Sequence, residues 1–94
     1  MNLKERFAAV DDEYLAFEKI AEPEHRRPDV CAFLLLDRLA PGDGDMVSAS
    51  EHDEIFLETS PDELNAAASD EDILTLIRCG VRYDSENDCL AMFV

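Results

Sequence analysis

Asp43-Gly44-Asp45, Glu51 and Glu54 have the types and much of the spacing of a calcium loop. With Asp43 as position 1 of an EF-hand, Asp45 falls at 3, Glu51 at 9 and Glu54 at 12. Position 5 is then Val47, and the glycine needed at position 6 is Ser48. A loop that cannot turn sharply there cannot close around the ion, so no calcium is expected. Glu51-His52-Asp53-Glu54 is rich in ligand types for zinc. No C-x-x-C or H-x-x-x-H pair supplies a local clamp, so no transition metal is expected either. Cys31, Cys79 and Cys89, with His25 and His52, are the raw parts of a thiol nucleophile. Cys31 lies in an apolar run, Cys79 near the negative end of an expected helix, and Cys89 beside Asp88. None of these settings favours a thiolate, and each cysteine reads as a small buried hydrophobe. There is no glycine-rich phosphate loop, and carboxylates are too common for any pair to single out an acid–base site. The expectation is a protein with no catalytic residue, no cofactor and no metal.

What remains is charge. The chain has 23 acids against 8 bases, a net of −15. Residues 1–40 carry 9 acids and 6 bases, whereas residues 41–94 carry 14 acids and 2 bases. Between Leu39 and Ile77 there are eleven acids and no Lys or Arg. Such a surface repels nucleic acid, whose binding depends on neutralising phosphates. It also avoids anionic membranes. It attracts a basic protein patch and speeds encounter with it. Asp43, Asp45, Glu51, Asp53, Glu54, Asp62 and Glu63 are the residues expected to form that docking face.

Two plainer explanations compete. Charge far from zero keeps a small protein soluble. Two lysines against six arginines, among many acids, would also suit a salty cytosol. Uniform salt adaptation would acidify the first 40 residues as well, and those are nearly balanced. The extreme docking face is one whose acids imitate the phosphate row of DNA and so capture a nucleic-acid-binding protein. In size, acidity and density of capping residues the chain resembles small phage proteins and DNA-mimic inhibitors. That resemblance is one of composition; it covers no motif and carries over no residue.

Ninety-four residues allow one core and one domain. No apolar run reaches the roughly 18 residues that suggest a membrane span. Met1-Asn2-Leu3-Lys4-Glu5 has no signal-peptide core, and three cysteines suit a reducing compartment, so a cytoplasmic protein is expected.

The elements that must position these residues follow from spacing and capping. Leu3, Phe7, Val10, Tyr14, Phe17 and Ala21 form a helical stripe, ended by Pro23, with Asp11-Asp12-Glu13 as a candidate break. Asp29 can cap a second helix, Val30–Ala40, stopped by Pro41-Gly42. Its apolar run leaves almost no polar face, which suggests burial all round or a subunit interface. Pro41 to Glu51 reads as a loop, and Glu54–Glu58 as a strand. Ser60-Pro61-Asp62-Glu63 opens a short helix to about Ala68. Ser69 caps the next, with Asp72 in the capping-box place and Gly80 as its stop. Val81–Asp84 and Cys89–Val94 then read as a closing hairpin, the second strand apolar on both faces.

Together these predict an α+β domain over residues 1–94. Its helical half, 1–40, contributes two helices packed on a three-stranded sheet. Its acidic half, 41–94, runs β-α-α-β-β and ends in a C-terminal hairpin. The expected function is a small acidic, non-enzymatic module that docks on a basic protein surface, with no direct nucleic acid and no membrane partner. The competing expectation is a homo-oligomeric structural or accessory protein. It would dimerise through Val30–Leu39, its acidity serving solubility alone.

Overall fold

The computed structural model describes residues 1–94. Four helices form: α1, Leu3–Ala9; α2, Pro28–Leu39; α3, Pro61–Ala67; and α4, Asp70–Arg78. Four strands form: β1, Val47–Glu51; β2, Glu54–Leu57; β3, Arg82–Asp84; and β4, Cys89–Phe93. The strands make one sheet in the order β1-β2-β4-β3, every neighbouring pair antiparallel. The architecture is therefore α+β, with the helices on one face of an antiparallel sheet. No helix is long and apolar enough to cross a membrane.

Capping chemistry sets the helix starts. Ser69 Oγ accepts from the Asp72 N–H at 3.1 Å, and Asp72 Oδ2 accepts from the Ser69 N–H at 2.9 Å. Asn2 and Glu5 make the same reciprocal pair at the start of α1. Each pair satisfies two backbone donors that a helix start leaves free. Ser60 caps α3, with Pro61 in its first turn. At the end of α4 the Val81 N–H reaches back to Leu76 O and the Gly80 N–H to Ile77 O, both at 3.0 Å. Gly80 allows this closure because its φ is +98°, a region that L side chains rarely adopt.

The core gathers one face of each element. Leu3 and Phe7 come from α1, Leu35 and Leu36 from α2, Leu64 from α3, and Ile73, Leu76 and Ile77 from α4. Leu57, Leu90 and Met92 meet them from the sheet. No polar or charged residue is buried. Stability therefore rests on apolar burial, and the charges are held at the periphery. Arginines tie that periphery together. Arg6 donates to the carbonyls of Asn65 (2.9 Å) and Ala68 (2.7 Å), at the negative end of α3. Arg78 donates to Glu13 Oε1 at 2.7 Å. That hydrogen bond, helped by Lys19, holds the Glu13 carboxyl below the usual 4.5.

Several boundaries differ from the sequence expectation. The stripe from Leu3 to Ala21 is helical only to Ala9 and continues as two single 3-10 turns, Asp11–Glu13 and Phe17–Lys19. Its spacing still serves packing, since Val10, Tyr14, Phe17 and Ile20 lie against the core. The helix is lost because tertiary bonds compete with it: the Leu15 N–H donates to Ile77 O at 3.1 Å, with Leu15 at φ +63°. The second helix starts at Pro28 rather than after Asp29; Asp29 lies in the first turn and accepts from the Val30 N–H. The sheet has four strands, not three, because Val47–Glu51 pairs with β2. β2 and β3 are not neighbours; β4 lies between them. β4 buries Leu90 and Met92 toward the helices and Ala91 on the other face, while Phe93 is exposed.

Gly80 gives a direct check. A Cβ there would stand 2.9 Å from Leu15 Cδ2, on a backbone that disfavours L residues. Gly80→Ala is expected to lower stability by about 1–2 kcal/mol. Urea unfolding of the two proteins measures it.

Candidate functional site

The acidic residues are placed by the β1–β2 hairpin. His52 and Asp53 make its turn, with His52 at φ +56°. The Val94 N–H donates to Asp53 O at 2.7 Å and pins that turn to the end of β4. At the other end the Glu58 N–H donates to Met46 O at 2.8 Å, extending the ladder into the loop before β1. All five residues of β1 are exposed.

Carboxylates gather at both ends of this hairpin. At the open end, Asp43, Asp45 and Glu63 line a hollow of about 460 Å3 together with Asp37 and Glu58, and no base lines it. At the turn end, Glu51, Asp53 and Glu54 line a hollow of about 580 Å3 with Asp84 and Glu86. Asp62 lines neither; it is exposed in the first turn of α3. Six of the seven residues expected to form one face thus fall into two groups, with β1 between them, and Asp62 belongs to neither. Five residues of strand span about 17 Å.

Glu54 differs from the rest. It is only partly exposed and forms an ion pair with Arg82. Arg82 stands on β3 and Glu54 on β2, so the pair crosses β4 on the face away from the helices. At that level β4 offers Ala91, which lies opposite Arg82 on one side and Phe56 on the other. The guanidinium carbon lies 4.5 Å from the centre of the Phe93 ring, a cation–π contact. Arg82 therefore serves as a roof over the open face of the sheet. Sequence reading placed it in a strand and missed this role; the signal was one of only two bases in residues 41–94, standing beside an alternating strand that contains alanine.

The other candidate chemistry does not assemble. Asp43 and Asp45 line one hollow while Glu51 and Glu54 line the other. No three His, Cys, Asp or Glu side chains form a group that could hold a metal ion. Cys31 and Cys79 are buried neighbours. Burial, and then the Cys31 thiol, push the Cys79 thiol up to about 12. Burial and Asp84 also raise Cys89. Thiols shifted this way are poor nucleophiles at neutral pH. His25 Nδ1 accepts from the Arg27 N–H, and His52 lies in the hairpin turn.

Among the eleven acids between Leu39 and Ile77, Glu54 and Asp70 are ion-paired, leaving nine with no basic partner. No family model matches the chain, and no curated protein or solved structure shows significant similarity to it.

Two outcomes follow from this charge arrangement. Arg82→Met leaves Glu54 unpaired among four other carboxylates and is expected to cost about 1–3 kcal/mol. Glu54→Gln removes one of those carboxylates and should cost less. Urea midpoints at neutral pH rank the two. Raising salt from about 0.01 M to about 0.15 M shortens the screening length from about 30 Å to about 8 Å. The melting temperature should rise over that range, because the unpaired acids then repel one another less.

Proposed function

We propose that this chain is a small, non-enzymatic, acidic binding module of the cytoplasm that docks on a basic surface of another protein. One observation carries the reading. An exposed strand without charge from Val47 to Ser50 stands between two groups of carboxylates, of which only Glu54 is ion-paired, to Arg82. Acids needed for solubility alone have no reason to flank one strand. The two groups also do not make a continuous row of charge, so the reading stops at a basic protein segment and does not extend to imitation of DNA. Three thiols with no disulfide suit a reducing compartment. A dimer through Val30–Leu39 has less to support it. α2 turns Cys31, Ala32, Leu35 and Leu36 into its own core and keeps Leu34 as its one exposed large hydrophobic.

The test compares the native chain with a variant carrying Asp43→Asn, Asp45→Asn, Glu51→Gln and Asp53→Asn. All four residues are exposed, so the fold should survive, and a melting curve checks that it does. With both proteins immobilised and exposed to lysate at low salt, the native chain should retain a basic protein that the variant does not. Rising salt should release it. Equal retention by both proteins, or retention indifferent to salt, would contradict the reading.

A further inference from the structure

β1 is an edge strand with no neighbour on its outer side. Unpaired N–H and C=O groups on such an edge template further strands, so edges are usually guarded by charge, proline or a covering element. This edge is lightly guarded. It has a register shift between Val47 and Ala49, and Glu51 at its end. Beside it, on the helix side of the sheet, lies a hollow of about 560 Å3 walled by Leu15, Phe33, Val47, Ile55, Met92 and Val94. Asp29 is the one charged residue on that wall, in a chain that is 33% charged. Leu15, Val47 and Val94 are large hydrophobics left exposed there. Val47 opposes buried Leu57 in the register, so its side chain faces the helix layer and leads from the free edge into the hollow.

We infer that β1 accepts an added β-strand from another protein, an extended segment with apolar side chains at alternate positions and Lys or Arg at both ends. The inference rests on the docking function proposed above and names how the partner is held. Main-chain hydrogen bonds along β1 supply the register, and side chains on one face of the added strand cover the apolar hollow. The basic ends meet Asp43 and Asp45 at one end of β1, and Glu51 and Asp53 at the other. Charge also excludes a second copy of this chain as the occupant. Pairing two β1 strands antiparallel sets Asp43 and Asp45 of one against Glu51 and Asp53 of the other. Pairing them parallel sets each group against its own kind.

Three synthetic peptides titrated into the full chain test this by calorimetry. The first has a core of alternating Val and Thr with a Lys-Arg pair at each end. The second is the same peptide with the backbone nitrogens of one edge methylated, and the third has Glu in place of every basic residue. The first should bind saturably. Methylation should weaken it about tenfold or more, since the main-chain hydrogen bonds along that edge are lost. The third should not bind. The variant with four neutralised acids should bind the first peptide about tenfold more weakly. A methylated peptide that binds as tightly as its parent would overturn strand addition. So would a parent peptide that fails to bind while the chain still retains a salt-sensitive basic protein. In both cases the docking function stands and its mode is different. Binding of the acidic peptide as tightly as the basic one would overturn both.

Discussion

Repulsion among carboxylates is the constraint that the rest of this structure answers. A chain of net charge −15 with no buried polar residue must hold its acids outside a wholly apolar core. Its few bases are therefore used to fasten elements to one another. Arg6 joins α1 to the end of α3 and the start of α4. Arg78 and Lys19 converge on Glu13. Arg82 spans the sheet to Glu54, and Arg38 ties α2 to Glu24. None of these clamps reaches β1. Asp43, Asp45 and Glu63 at one end of that strand, and Glu51 and Asp53 at the other, form no ion pair, while five of the eight bases are held in ion pairs with other acids. The asymmetry of charge along the chain thus becomes an asymmetry in space.

The helix starts and stops were legible in the sequence because they depend on neighbours in the chain. Ser60, Pro61, Ser69, Asp72 and Gly80 each do locally what their type and position imply. The closing hairpin was legible for the same reason, with Leu90 and Met92 alternating onto the core. Features set by distant contacts were not. Leu15 gives its N–H to Ile77 rather than to its own helix, so the periodic stripe is helical only to Ala9 and continues as two 3-10 turns. β1 left only a weak trace because Val-Ser-Ala-Ser-Glu, although it alternates, is short, has a single β-branched residue and buries none of its side chains. Without β1 the acids of residues 43–63 read as a single group. With it they divide in two, and the strand between them becomes the notable feature. The roof formed by Arg82 depends on pairing across three strands, which no local pattern encodes.

In the proposed complex, strand, hollow and acids each select a different property of one partner. The open edge selects an extended backbone. The hollow beside Val47 selects apolar side chains at alternate positions. The carboxylates at the ends select positive charge and disfavour self-association. A surface serving only to keep the protein dissolved would not need an uncharged edge strand next to an apolar hollow, since that pairing invites aggregation. In the proposed complex the acids have two effects, attraction of a basic strand and protection of the edge against copies of itself.

The most direct test of this account is amide hydrogen exchange of the chain alone and in complex with the basic protein it retains from lysate. The account predicts that slowing of exchange concentrates in Val47–Glu51, with smaller changes around Phe33 and Val94 and none on the outer surface of α1. Slowing centred on the helices, with β1 exchanging as fast in the complex as in the free chain, would contradict it.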